Sequence, residues 1–255
     1  MTPKLPGVRA PGLPLLTTEY ARAAGEFGVL AATWPALAAA PTGAGQPVLV
    51  LPGLSAVDLH TAPLRLFLRS LGYPVYRWGL GPNIGPTRRI LDGMRTRLDE
   101  IAETHGEPVS VIGWSLGGIF ARRLARETPE VVRQVITLGS PIKLARHRQS
   151  NARHLYRLFD RWHTQALTLP LEEGEGPLPV PSSALYSRLD GIVAWQVCRD
   201  QPGAAAENIE VLCSHLGFPN NLASMWLIAD RLSQPAGELA PFVPPAWLRF
   251  AYPGS

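Results

Sequence analysis

The chain has 255 residues, 46% hydrophobic, 17% charged and 8% aromatic, enough apolar content for one large core, which excludes a disordered chain or a small stapled scaffold. A formal charge of +4, from 24 Lys and Arg against 20 Asp and Glu, does not call for nucleic acid or another polyanion as a partner. Cys198 and Cys213 stand without CxxC or Cys/His spacing, so no zinc site is indicated and no cofactor is expected.

Thr18 to Ala40 is expected as an amphipathic helix with Thr17 or Thr18 as N-cap and Pro35 bending or ending it. Its Ala-rich end could be taken for part of a signal peptide, but Glu19, Arg22 and Glu26 interrupt the stretch where a secretory segment is uncharged. The cytoplasm is therefore the expected compartment, with a secreted or periplasmic location left open. From residue 46 onward, β-branched runs alternate with helical patterns, the signature of a mostly parallel sheet covered on both faces. Strands are expected at Gln46 to Leu51, Pro74 to Trp78, Val109 to Gly113, Gln134 to Leu138, Ala184 to Ser187 and Asn208 to Cys213. Helices are expected at Ala62 to Leu71, at Thr87 to His105 with Gly106 closing it, at 116 to 127, and at Leu222 to Leu232. Gly79 to Pro86 is a loop.

The rhythm breaks after Gly139, where an amphipathic helix near Asn151 to Thr168 and a Gly- and Pro-rich stretch from Glu173 to Pro181 make a connection too long for an ordinary loop. One domain over residues 1–255 is expected, with 1–45 as a helical extension, 142–181 as a cap insertion and 235–255 as a Pro-rich strap.

Gly113-Trp114-Ser115-Leu116-Gly117 fits G-x-S-x-G, and it falls where a strand ends and a helix begins. A serine on that sharp turn projects its hydroxyl above the sheet, over a helix N-terminus that favours negative charge. Such a nucleophile needs a base, and the base needs a carboxylate to orient it. Asp190 follows one later strand, in Asp190-Gly191-Ile192-Val193, and His215 follows the last, in His215-Leu216-Gly217. Alternative bases are His60, His105, His147, His154 and His163, and alternative acids are Asp58 and Glu210. The order Ser115, Asp190, His215 agrees with the one such sheets use.

Over about residues 46 to 232 the chain resembles an α/β-hydrolase of the bacterial lipase and esterase type, carried by the elbow, the D-G-I-V segment and the histidine before Leu-Gly. The resemblance implies the α/β-hydrolase fold, a mostly parallel central sheet with helices on both faces and a small helical cap insertion. It also implies a Ser115-Asp190-His215 triad cleaving small-molecule or lipid esters through an acyl-enzyme. Many members carry His-Gly in the oxyanion loop, where this chain has Leu51-Pro52-Gly53-Leu54. By family logic the backbone N–H groups of Leu54 and Leu116 form the oxyanion hole, with Gly53 and Ser55 as alternatives to Leu54. The same triad would serve an acyltransferase or a perhydrolase or haloperoxidase, and the scaffold could carry a non-catalytic ligand-binding protein.

Apolar residues near the site, Leu54, Trp114, Leu116, Ile192, Val193, Leu216 and Phe218, point to apolar acyl chains. In the insertion, Lys143, Arg146, Arg148, Arg153, Arg157 and Arg161 stand against Asp160 over residues 143–162. This is either a solvated face or a cap whose apolar side (Leu155, Leu158, Phe159, Trp162) roofs the pocket while its cations meet an anionic lipid surface. Cys198 and Cys213 flank the acid-to-base segment as a disulfide or as two thiols. With Asp190 raising and burial lowering its pKa, His215 is expected near the ordinary value of about 6.5.

Overall fold

The computed structural model describes residues 7–164, 176–201, 203 and 205–254. Six strands pair in parallel: β1 (Val48–Leu51), β2 (Val75–Arg77), β3 (Val109–Trp114), β4 (Val132–Leu138), β5 (Ser182–Tyr186) and β6 (Ala206–Glu210). Their order across the sheet is β2-β1-β3-β4-β5-β6, so the chain winds outward in one direction from β1 to β2 and in the other from β3 to β6. Successive side chains of a strand face opposite ways, and both faces are buried. Val48 and Val50 enter the core with α3 (Ala62–Ser70) and α7 (Leu222–Ser233), while Leu49 and Leu51 enter the one formed with α4 (Arg88–His105) and α5 (Leu116–Glu127).

Where end signals are chemical, the elements stop as expected. The Thr87 side chain accepts from Ile90 N–H at 3.2 Å to open α4, and Gly106, at φ 66°, closes it. Other boundaries shift for identifiable reasons. β5 starts at Ser182 and not Ala184, because the hydroxyls of Ser182 and Ser183 donate to Asp200 (3.0 Å) and Glu207 (2.7 Å) and so enter a buried strand satisfied. β6 ends at Glu210, before the expected Cys213, since Leu212 N–H turns to the carbonyl of Ala251 at 2.9 Å. Asp200 also receives both terminal nitrogens of buried Arg122 on α5, at 2.5 and 3.1 Å. Burial pushes the Asp200 carboxyl up, but the Arg122 guanidinium holds it below the usual carboxylate range.

The N-terminal helix is not one piece. α1 (Leu13–Thr17) leads into α2 (Glu19–Thr33), and a 3-10 turn over Trp34–Ala39 follows, with Pro35 near its start. Thr18 caps nothing; its hydroxyl donates back to the Pro14 carbonyl at 2.7 Å. In the C-terminal segment, Tyr252 is buried and donates to Ala223 O at 2.8 Å, and Trp247 packs edge-on against Trp226 of α7. Among the described residues, no helix is long and apolar enough to cross a membrane.

Candidate active site

β3 ends at Trp114 and α5 begins at Leu116, so Ser115 alone makes the turn between them. It adopts φ 53° and ψ −119°, a conformation that costs a serine about 1–3 kcal/mol. The surroundings impose it. Ser115 N–H donates to Leu138 O at 2.8 Å, continuing the ladder with β4. A Cβ on Gly113 would lie 2.4 Å from the Gly117 carbonyl, and one on Gly117 would lie 2.5 Å from that of Leu51, so only glycines permit this approach of helix and strands. Ser115 thus stands at the carboxyl ends of β1 and β3, the crevice where the strand order reverses.

The loop after β1 lies against the serine, since a Cβ on Gly53 would come within 3.2 Å of Ser115 Cβ. Ser55 N–H donates to Asn83 O at 2.7 Å, which removes it from the three candidate oxyanion donors. The N–H groups of Gly53, Leu54 and Leu116 have no acceptor among the described residues. Asn83, fully buried, shapes this loop. Its Nδ2 donates to Pro52 O at 2.8 Å, its N–H to Ala56 O at 2.9 Å, and its Oδ1 accepts from Gly85 N–H at 3.2 Å. Sequence reasoning passed over Asn83 because an asparagine among Gly and Pro reads as an ordinary turn.

Asp190 and His215 are brought together. Nδ1 of His215 lies 2.6 Å from Asp190 Oδ2, with both side chains buried. The other carboxylate oxygen accepts from Ile192 N–H at 2.8 Å and Val193 N–H at 2.7 Å, fixing the acid. With Nδ1–H held by Asp190, the tautomer leaves the Nε2 lone pair free to accept a proton. Burial lowers the His215 pKa, but the charge and hydrogen bond of Asp190 and the charge of Glu19 outweigh it and hold the imidazole above its ordinary value. The expected balance near 6.5 is tipped upward by Asp190 first, with Glu19 adding to it. The Ser115 hydroxyl has no hydrogen-bond partner among the described residues.

Of the residues expected to line a pocket, Trp114 and Phe218 pack against the His215 ring. Trp114 is buried and its Nε1 donates to His215 O at 3.0 Å, tying the end of β3 to the histidine loop. Phe218 is fully buried edge-on to the imidazole, and Val193 is buried. Leu54, Ile192 and Leu216 are half-buried, and Leu116 is buried.

The alternative acids and bases are engaged elsewhere. Asp58 accepts from the N–H groups of Trp78 and Gly79, and Glu210 pairs with Arg188 at 3.2 Å. His60 bonds Val57, His105 bonds the Tyr76 hydroxyl at 2.8 Å, and His154 bonds Arg153. His163 contacts Ile84 O at 2.7 Å, and the side chain of His147 lies outside the described part. Cys198 and Cys213 are free, buried thiols, not a disulfide, and burial pushes both well up.

The cap departs from expectation. Its helix, α6 (Arg153–Leu158), is short and a 3-10 turn covers Asp160–Trp162, while residues 165–175 of the expected helix and Gly/Pro stretch lie outside the described residues. Of the four apolar residues, Phe159 is half-buried and the other three are exposed, in line with the solvated-face alternative. Leu155, Leu158 and Trp162 are 37%, 68% and 44% exposed, and Tyr156 with His163 packs inward in their place.

No family model matches the chain. Among solved structures it is similar to lipase B of Aspergillus fumigatus, with a TM-score of 0.57 and 16% identity over 77% of this chain and 55% of that one. It is similar to a Bacillus licheniformis lipase in its propeptide form, at 0.57 and 16% over 80% and 53%. It is also similar to the monoacylglycerol lipase of Paleococcus ferrophilus, at 0.52 and 14% over 76% and 96%. The chain thus spans little more than half the length of the first two. The parallel sheet with its order reversal, the strained serine turn and these likenesses agree that the chain has the α/β-hydrolase fold of lipases and esterases.

Proposed function

We propose that the chain is a serine hydrolase of carboxylic esters with apolar acyl groups. The reading rests above all on the buried 2.6 Å His215–Asp190 pair, set at the same end of the sheet as a serine in strained backbone geometry. In this reading His215 Nε2 takes the proton of Ser115, and Ser115 Oγ bonds to the acyl carbon. The N–H groups of Leu116 and Leu54 receive the oxyanion. The imidazolium then returns the proton to the departing alkoxide. Water, activated by the same imidazole, breaks the acyl-serine bond and releases the acid. An unliganded serine need not contact its base, because such bonds commonly tighten only with substrate in place.

The half-buried Leu54, Ile192 and Leu216 offer the acyl group an apolar surface, whereas buried Trp114 and Phe218 pack against the histidine and the N–H of buried Val193 holds Asp190. Exposed Leu158 and Trp162, among Arg153, Arg157 and Arg161, suit an approach to anionic lipid in which the ester is dispersed. The test is a chain-length series of p-nitrophenyl esters against the parent and Ser115→Ala. Rising kcat/KM with acyl length, lost in the variant, is expected; preference for a charged acyl group, or equal turnover by Ser115→Ala, contradicts the reading.

A further inference from the structure

α2 is inside out. Tyr20 and Phe27 are 82% and 51% exposed, while Glu19 is 1% exposed and Glu26 half-buried. A buried carboxylate is costly unless several donors meet it, so what Glu19 meets is informative. Its Oε1 accepts from Gly191 N–H at 2.6 Å and from His215 N–H at 3.2 Å, and its Oε2 accepts from Leu216 N–H at 3.2 Å. One side chain therefore grips the residue after the acid, the base itself and the residue after the base. Glu26, two turns on, accepts from Ser214 N–H at 2.7 Å, and Arg22 between them pairs with Glu19 at 2.9 Å and donates to Leu189 O at 2.7 Å.

The glycines of the two catalytic segments are fitted to this helix. A Cβ on Gly191 would lie 2.4 Å from Leu15 O and 2.9 Å from Glu19 Cγ, and one on Gly217 would lie 1.7 Å from Glu26 Oε2. Both loops thus carry glycine where the N-terminal helices press on them.

We propose that Glu19 is a positioning residue of the catalytic site, which locks the Asp190 and His215 loops to one helix and places a negative charge beside the imidazole. The assignment rests on His215 acting as the base, as above. The groups facing that imidazole or its loop are Asp190, Glu19, Glu26 and Arg22, together with the buried thiol of Cys213, while Cys198 faces Asp190. Two of these can be changed with opposite sign. Glu19→Gln keeps the side-chain shape and removes the negative charge, and Arg22→Gln leaves Glu19 in place and removes the cation that offsets it.

The experiment follows the downfield Nδ1 proton of His215 by NMR across pH in the full chain, assigned by its loss in His215→Asn, alongside kcat/KM for a p-nitrophenyl ester. The His215 midpoint is expected to fall by about 0.5 or more in Glu19→Gln and to rise in Arg22→Gln. Above both midpoints, the Glu19→Gln kcat should stay about 10-fold low with KM little changed. A folded Glu19→Gln whose midpoint stays within about 0.2 of the parent overturns the proposal, as does an Arg22→Gln midpoint that is unmoved or lowered. Should Glu19→Gln fail to fold, Arg22→Gln decides. A parent without esterolysis refutes the proposed reaction, while the NMR midpoints still test Glu19.

Discussion

The serine turn and the acid-base pair are built in different ways. Ser115 sits on a strand, a turn and a helix contiguous in sequence, whose glycines let backbone meet backbone, of this segment and of neighbouring β1 and β4. The pair is assembled from loops after β5 and β6 and is gripped by carboxylates from a helix at the other end of the chain. A local motif is held by sterics, and a distributed one is held by buried charge and hydrogen bonds. The first tolerates no added atom; the second should degrade by degrees.

Breaking the turn should have the larger effect. Gly113→Ala sets a methyl against the backbone of Gly117 and Gly118, each 2.4 Å away, so loss of all esterolysis and a lowered Tm are expected. Gly217→Ala instead meets side chains, the end of Glu26 at 1.7 Å and the Ser214 hydroxyl at 2.7 Å, which can rotate aside where backbone cannot, so a folded protein with kcat reduced about 10-fold is expected. Thermal melts and initial rates on the two variants check the contrast; equal damage would remove it.

Within the pair, Asp190→Asn removes the orienting charge and can favour the wrong tautomer. The expected loss is at least about 10²-fold in kcat with KM little changed. If that variant stays active while Asp58→Asn or Glu210→Gln is crippled, the acid is misassigned.

Asn83→Ala leaves Pro52 O without its donor in a buried site. A cost of about 1–3 kcal/mol in stability and a lowered kcat are expected, through the loop that carries Leu54. The smallest effect is on pH. His215 must be neutral to act and its pKa is raised, so the acid limb of kcat/KM should have its midpoint above about 6.5, with activity lost as pH falls through it.

The two constructions also explain what could be read in advance. Ser115, Asp190 and His215 each sit in a short local pattern after a strand, and the strands themselves follow from runs such as Val48 to Leu51. Glu19 has no local mark as a site residue. Glu19, Arg22 and Glu26 interrupt an apolar stretch at i, i+3 and i+7, one face of a helix, and that stripe was the available signal. Its meaning depended on loops far along the chain. The insertion stayed open between a solvated face and a roof for the opposite reason: Leu155, Leu158 and Trp162 have helical spacing, but periodicity does not say whether anything lies opposite the apolar face.

In the proposed reaction Ser115 is a nucleophile activated by His215. Its most direct test is covalent labelling of the full chain by a fluorophosphonate, with the modified peptide located by mass spectrometry. One label on Ser115, absent in Ser115→Ala and strongly slowed in His215→Asn, is the predicted result. Labelling at another residue, or undiminished labelling in Ser115→Ala, would contradict it.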